Sequence, residues 1–172
     1  MIAAKNSDIQ SYLTFKIGDE LFAVNVIKIL SILELTRITK MPRTPKYIRG
    51  IINHHGAVLP IVDIRDKFDL EPTDLNSGAC ILAVDIDMDG KSFKIGALVD
   101  AVDEVIELDS SLILPAPHLG KTYRSDFIEG FYKTEKSVTM ILNIDKLFSE
   151  DDITVIGHSE LVLEEEEKQE QV

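Results

Sequence analysis

The segment "SYLTFKI" (Ser11–Ile17) sets Leu13, Phe15 and Ile17 against Tyr12, Thr14 and Lys16, the two-residue period of a half-buried strand. "GDE" turns the chain into "LFAVNV", which predicts a hairpin. "CILAVDI", the turn "DMDGK" and "SFKIGALV" repeat that plan from Cys80 to Val99. A second strand pair is expected in "IINHH" and "AVLPIV", with the histidines at the connection. Its counterparts are "FYK" and "VTMIL", joined through "TEKS". "DIRDKF" and "NIDKLF" each predict one short helical turn, and "SEDDITVI" has the Ser–Asp capping pattern of a short helix. The run "VIKILSILEL" is apolar nearly throughout, so periodicity leaves both strand and helix open there.

These parallels are a repeat. Phe22–Leu35 aligns with Ile95–Leu108 at an offset of 73 (95 minus 22), pairing Val26 with Val99, Ile29 with Val102 and Ile32 with Val105. The same offset carries Pro42 onto Pro115. Ile48–Phe68 aligns with Ile128–Phe148 at an offset of 80 (128 minus 48), bringing Gly50 onto Gly130 and Phe68 onto Phe148. The change of offset predicts a seven-residue insertion within "HLGKTYRSD". Two ordered blocks and a proline indicate tandem duplication. Short strands with tight turns, about five per half, suit an all-β fold of two small closed barrels, since closure removes open strand edges. The boundaries expected are a first barrel over about 12–68, a link over 69–79 and a second barrel over about 80–148. A tail follows over 153–172. Phe68 and Phe148 are the expected plugs of the two cores, and both glycines stand where a side chain would crowd a neighbouring strand.

Composition narrows the class. The 172 residues are 45% apolar and 28% charged, enough for a core. No apolar stretch approaches the roughly 20 residues that cross a bilayer, and "MIAAKNSDIQ" lacks the regions of a secretory signal. The single cysteine, Cys80, allows no internal disulfide and no CxxC site, which fits a reducing cytosol. A small buried apolar role suits it. The net charge of −12 argues against nucleic acid or an anionic membrane as the main partner. Much of the excess lies in "LEEEEKQEQV", a like-charge run expected to be disordered.

Candidate chemistry is sparse. Adjacent residues on a strand point to opposite faces, so His54 and His55 are not expected to chelate one ion, and no HxxxH or Cys/His cluster adds ligands. Asp85, Asp87 and Asp89 in "VDIDMDG" resemble the start of an EF-hand loop, but Gly96 stands where its glutamate belongs. A charged hairpin tip is the simpler reading. GxSxG, P-loop and GxGxxG patterns are absent, and no nucleophile, base and orienting group assemble. An interaction module without catalytic, metal or cofactor site fits best. A metal-dependent enzyme using His54 and His55 is the distant alternative. The proline loops "MPRTPKYIRG" and "LPAPHLGK" hold Pro42, Pro45, Pro115 and Pro117, which stiffen them for a partner.

From Tyr12 to Phe148 the chain resembles the chemotaxis coupling protein family, CheW. "FKIGDELFAVNVIKI", "MPRTPKYIRGIINHHGAVLPIVDIRDKF", "KIGALVDAVDEVIEL", "LPAP" and "FIEGF…ILNIDKLF" carry the resemblance in order. It implies two SH3-like five-stranded barrels. It also implies a cytoplasmic, non-enzymatic adaptor joining the hairpin tips of chemoreceptors to the regulatory domain of a CheA-type histidine kinase. That domain has the same fold, so barrels of the two proteins would pair, with the receptor tip in the groove between barrels. A non-motility chemosensory array, or the adaptor half of a CheV-like protein, would use the same domain. The partner-facing positions so implied are Ile29, Ser31, Gly50, His55, His118 and Leu119. Here the family's "NLRG" is "NHHG", placing His55 at the arginine, and "VxEI" is "ILSI", placing Ser31 at the glutamate. Leu119, following two prolines in a loop, is expected to be an exposed apolar anchor beside His118, with a cap on the second core as the alternative.

Overall fold

The computed structural model describes residues 8–68, 70, 78–116, 126–148 and 152. The first hairpin is β1 (Ile9–Ile17) and β2 (Glu20–Asn25), followed by a 3-10 turn at Val26–Lys28 and β3 (Ile29–Glu34). "VIKILSILEL" is therefore a turn and a strand. A second hairpin, β4 (Ile48–His54) and β5 (Ala57–Asp63), runs into the single-turn helix α1 (Ile64–Lys67). The repeat supplies β6 (Cys80–Met88), β7 (Lys91–Val99), β8 (Ala101–Asp109), the short β9 (Leu114–Pro115), β10 (Ile128–Lys133), β11 (Val138–Leu142) and α2 (Ile144–Leu147). Asp63 and Asn143 cap the two helices, each accepting from the amide two residues on (3.1 Å in both).

The strands sort into two curled sheets, ordered β8-β1-β2-β11-β10-β9 and β3-β6-β7-β5-β4. Each sheet draws on both halves of the chain. A partition into one barrel over 12–68 and another over 80–148 is not how the strands divide. The opening hairpin of each half is bound instead to the closing hairpin of the other, through parallel pairs β2–β11 and β5–β7. In those pairs Ala23 lies opposite Ile141, and Gly96 opposite Ile61. The duplication survives this exchange, because 73 and 80 are the offsets that relate the two pairs.

Closure of the barrels shows the same repeat. Thr39 bridges Ile51, and Leu114 pairs with Phe131. Since Phe131 is the repeat of Ile51, Leu114 is the repeat of Thr39, and the offset is already 75 (114 minus 39). Pro115 therefore corresponds to Lys40, and its sequence match to Pro42 is not a structural one. Two inserted residues fall before β9, and the remainder between it and β10.

β1 is covered on both faces: Tyr12, Leu13, Thr14 and Phe15 are all buried, so the half-buried alternation expected there is wrong. Leu13, Phe15 and Ile17 join the largest cluster, with Phe22, Val62, Leu82, Val84, Ile86, Ile95 and Ile144, drawn from both sheets. Tyr12 faces the interior of one barrel with Ala23, Leu108 and Ile141. The other interior holds Ile52, Leu59, Ile61, Ile81 and Leu98. Most hydrophobic burial is thus between the sheets rather than inside either.

Phe148 is buried in the shared core, but Phe68 is only half-buried, stacked between Phe22 (5.1 Å) and Phe127 (5.2 Å). Phe148→Ala should cost about 3 kcal/mol and Phe68→Ala nearer about 2, the rings leaving unequal cavities. Equal shifts of the urea midpoint would contradict that ranking.

Each short helix also carries a polar tie, and the two are charge-reversed. Buried Arg65, 3% exposed, pairs with Asp100, whose other oxygen accepts the Gly18 amide (2.5 Å). Asp145, the repeat of Arg65, pairs with Lys28 (2.7 Å) and accepts the Asp87 amide (2.8 Å). A carboxylate receives the hairpin amide in both ties, but once it belongs to the strand junction and once to the helix.

Candidate partner-binding surfaces

The β4–β5 connection is a two-residue turn, His55 (φ 52°) and Gly56 (φ 79°), closed by the His54–Ala57 pair. Positive φ at both central residues is the type I′ geometry that matches strand twist. The Asn53 side chain accepts the Gly56 amide at 3.1 Å. Because His55 is left-handed rather than extended, strand alternation does not separate the imidazoles: their ring centroids lie 4.2 Å apart at 60°. The argument from opposite faces fails. Among the described residues, no group of three His, Cys, Asp or Glu is placed to hold a metal ion. An L-residue with Cβ is disfavoured in this conformation, whereas Asn tolerates it. His55→Asn should therefore raise stability by about 0.5–1 kcal/mol, read as a higher melting temperature.

β3 presents the main apolar exposure. Leu30 (48% exposed) and Ile32 (51%) alternate along its outer face, and Ile27 (80%) stands out from the preceding turn. Ile32 is opposite Leu82, a core residue, yet is open because β3 ends its sheet and has one strand neighbour. Its repeat, Val105, is opposite Leu13 on the end strand β8 and is 59% exposed. The duplicated fold thus offers two equivalent apolar edges. A groove of about 520 Å³ runs beside the first, lined by Ile32, Leu33, Glu34 and Leu35 with Gly78, Ala79 and Cys80. Burial pushes the Cys80 thiol pKa up, and a contact with the Val102 backbone opposes the shift. Less thiolate is present at a given pH, so alkylation of Cys80 at pH 8 should be slower than that of a free cysteine and should quicken on unfolding.

The remaining positions implied by resemblance are scattered. Ile29 packs against the shared core, and Ser31 is half-buried beside Ala83. Gly50 is buried, with Thr39 and Ile38 directly above it. Ser31 lies on β3 and His55 in the turn that follows β4, the strands at opposite ends of one sheet's order, and no hydrogen bond joins the two residues. His118, Leu119, most of the link, and the tail over 153–172 lie outside the described residues. Sequence reasoning selected Ile29 and missed Leu30 and Ile32. The available signal was a strand apolar at every position but Ser31 and Glu34, in a sheet whose end strands cannot be covered twice.

A double barrel that leaves two equivalent apolar sheet edges open has the surface of an interaction domain. The chain belongs to the CheW-like domain family, which matches residues 11–152. It is 29% identical over 149 residues to a probable chemotaxis protein CheW of Rhizobium etli, covering 87% of this chain and 94% of that one. Identity to the chemotaxis protein CheW of Klebsiella aerogenes is 24% over 149 residues, 87% of each chain. The crystal structure of the scaffolding protein TtCheW from Thermoanaerobacter tengcongensis superposes with a TM-score of 0.73 at 30% identity, covering 87% of this chain and 94% of that one.

Proposed function

We propose that this chain is a non-enzymatic cytoplasmic adaptor of chemotaxis, coupling the cytoplasmic tips of chemoreceptors to the regulatory domain of a CheA-type histidine kinase. The observation that carries this reading is family membership over nearly the whole folded chain, with relatives named for chemotaxis and one for scaffolding. The duplicated apolar edges at Ile32 and Val105 support it, since a protein with two like edges can hold two partners. No helix among the described residues is long and apolar enough to cross a membrane. The test is co-purification from native cytosol: kinase and receptor tips together support the reading, and neither appearing would defeat it.

Within this reading His55 faces a partner in place of an arginine, without the permanent charge and bidentate fork. Ser31 offers no acid in return. His55→Arg alone should leave partner affinity unimproved, while His55→Arg with Ser31→Glu restores a charged contact. A double-mutant cycle should give coupling of about 0.5–3 kcal/mol; zero coupling would leave "NHHG" as a turn only. Leu119→Ser should weaken kinase binding with the melting temperature nearly unchanged, whereas a large thermal loss would make Leu119 core. Ile29, Gly50 and His118 would support these contacts by holding the surfaces in place.

A further inference from the structure

A basic segment stands out on this acidic chain. Arg37, Lys40, Arg43, Lys46 and Arg49 follow one another, and no Asp or Glu occurs between Glu34 and Asp63. All five side chains are exposed. Lys46 pairs with Asp66 (3.7 Å) and Arg49 with Asp63 (3.2 Å). Arg37, Lys40 and Arg43 have no ion pair among the described residues. Their backbone is held in place: Thr39 exchanges two 2.9 Å hydrogen bonds with Ile51, and Pro42 precedes Arg43, whose φ is 62°. A backbone held in this way spares part of the entropy otherwise lost when an anion covers the segment.

We propose that the acidic segment of this same chain from Glu160 to Glu170 docks on the basic segment that holds Arg37, Lys40 and Arg43. Charge complementarity is the first argument: the segment holds Glu160, Glu164, Glu165, Glu166, Glu167 and Glu170 against one Lys168. The second is where the described residues stop. Asp152 accepts a hydrogen bond from the Tyr47 hydroxyl at 2.5 Å and pairs with Lys67. Tyr47 belongs to the basic segment itself, so the tail departs from beside its target. Reach suffices as well. Tyr47 and Arg37 are ten residues apart, hence at most about 36 Å, while Glu164 lies twelve residues beyond Asp152 and can extend to about 43 Å. Tethering places the glutamates near the basic segment at millimolar effective concentration, compensating for weak screened contacts. The tail then shields the basic segment from acidic segments of other molecules until it is displaced.

The test uses this chain and the variant E164Q/E165Q/E166Q/E167Q, whose changes lie outside the described residues. Amide NMR spectra should differ at Arg37–Arg43 between the two proteins in low salt. The difference should vanish in about 0.5 M salt, where charges are screened within a few ångströms, and should not depend on protein concentration. No difference at Arg37–Arg43 overturns the proposal. A difference that grows with concentration also overturns it, since the tail would then come from a second copy. As a second measurement, a hexaglutamate peptide should bind the glutamine variant about threefold or more tighter than the wild type, because the tail no longer competes. Equal affinity, or binding to neither, overturns the proposal.

Discussion

Gly50→Ala is expected to cost about 3–5 kcal/mol, a large share of the roughly 5–15 kcal/mol that holds a domain together. A Cβ at this position would lie 2.1 Å from the Thr39 carbonyl oxygen and 2.8 Å from Ile38 Cγ2. The carbonyl cannot retreat, because the two backbone hydrogen bonds between Thr39 and Ile51 close the barrel at that point. Gly50 also has φ +143°, a conformation open essentially to glycine. Crowding and backbone strain therefore add. Gly130→Ala separates them: its Cβ would meet the Leu114 oxygen at 2.3 Å, but the backbone there is not in the positive-φ region. It should be destabilising by less. Urea unfolding of both variants measures the difference, and a loss under about 1 kcal/mol at Gly50 would mean that the crossing is soft.

Arg65→Ala is the second large loss, about 3–5 kcal/mol, because removing one member of a buried ion pair leaves the other uncompensated. Asp100 would keep only its Gly18 amide, and a cavity would open beneath α1. The Arg65 Nε has no hydrogen-bond partner, so the guanidinium is not fully satisfied even in place. Replacing both partners should consequently cost less than replacing the arginine alone. At the opposite tie, Lys28→Ala should cost under about 1 kcal/mol, since both side chains remain about a quarter exposed and screened by solvent. Comparable losses at Arg65 and Lys28 would refute the assignment of the first tie to the core.

Much of this architecture is legible in the chain. Turn residues and alternation locate the hairpins, and the offsets of 73 and 80 reveal the duplication from the letters alone. The partition of strands is not legible, because alternation reports that a face is buried and not which strand buries it. β1 makes the point: Thr14 reads as solvent-facing, yet its hydroxyl accepts the Glu104 amide at 3.0 Å inside a barrel. His55 was misjudged for a related reason, since one left-handed residue resets the direction of the side chain that follows a strand. Pro42 and Pro115 matched by letter while the bridge register moved two residues. The exposed β3 stripe was hidden by composition: an apolar run looks equally suited to a core and to an open sheet edge.

The charge-reversed ties bear on how the chain chooses between folds. Duplicated halves share strand chemistry, so each could close on itself, with β2 beside β5 and β7 beside β11. That arrangement would carry Arg65 towards Lys28 and Asp145 towards Asp100, opposing like charges at both helices. Only the exchange of hairpins brings opposite charges together, so the ties act as an address that one half reads on the other. Fidelity here has a kinetic side. Leu21 must wait for Thr139, 118 residues later (139 minus 21), before β2 finds its parallel neighbour. Such distant pairing makes folding slow, and during that wait the meeting of Arg65 with Lys28 disfavours closure of the first half on itself.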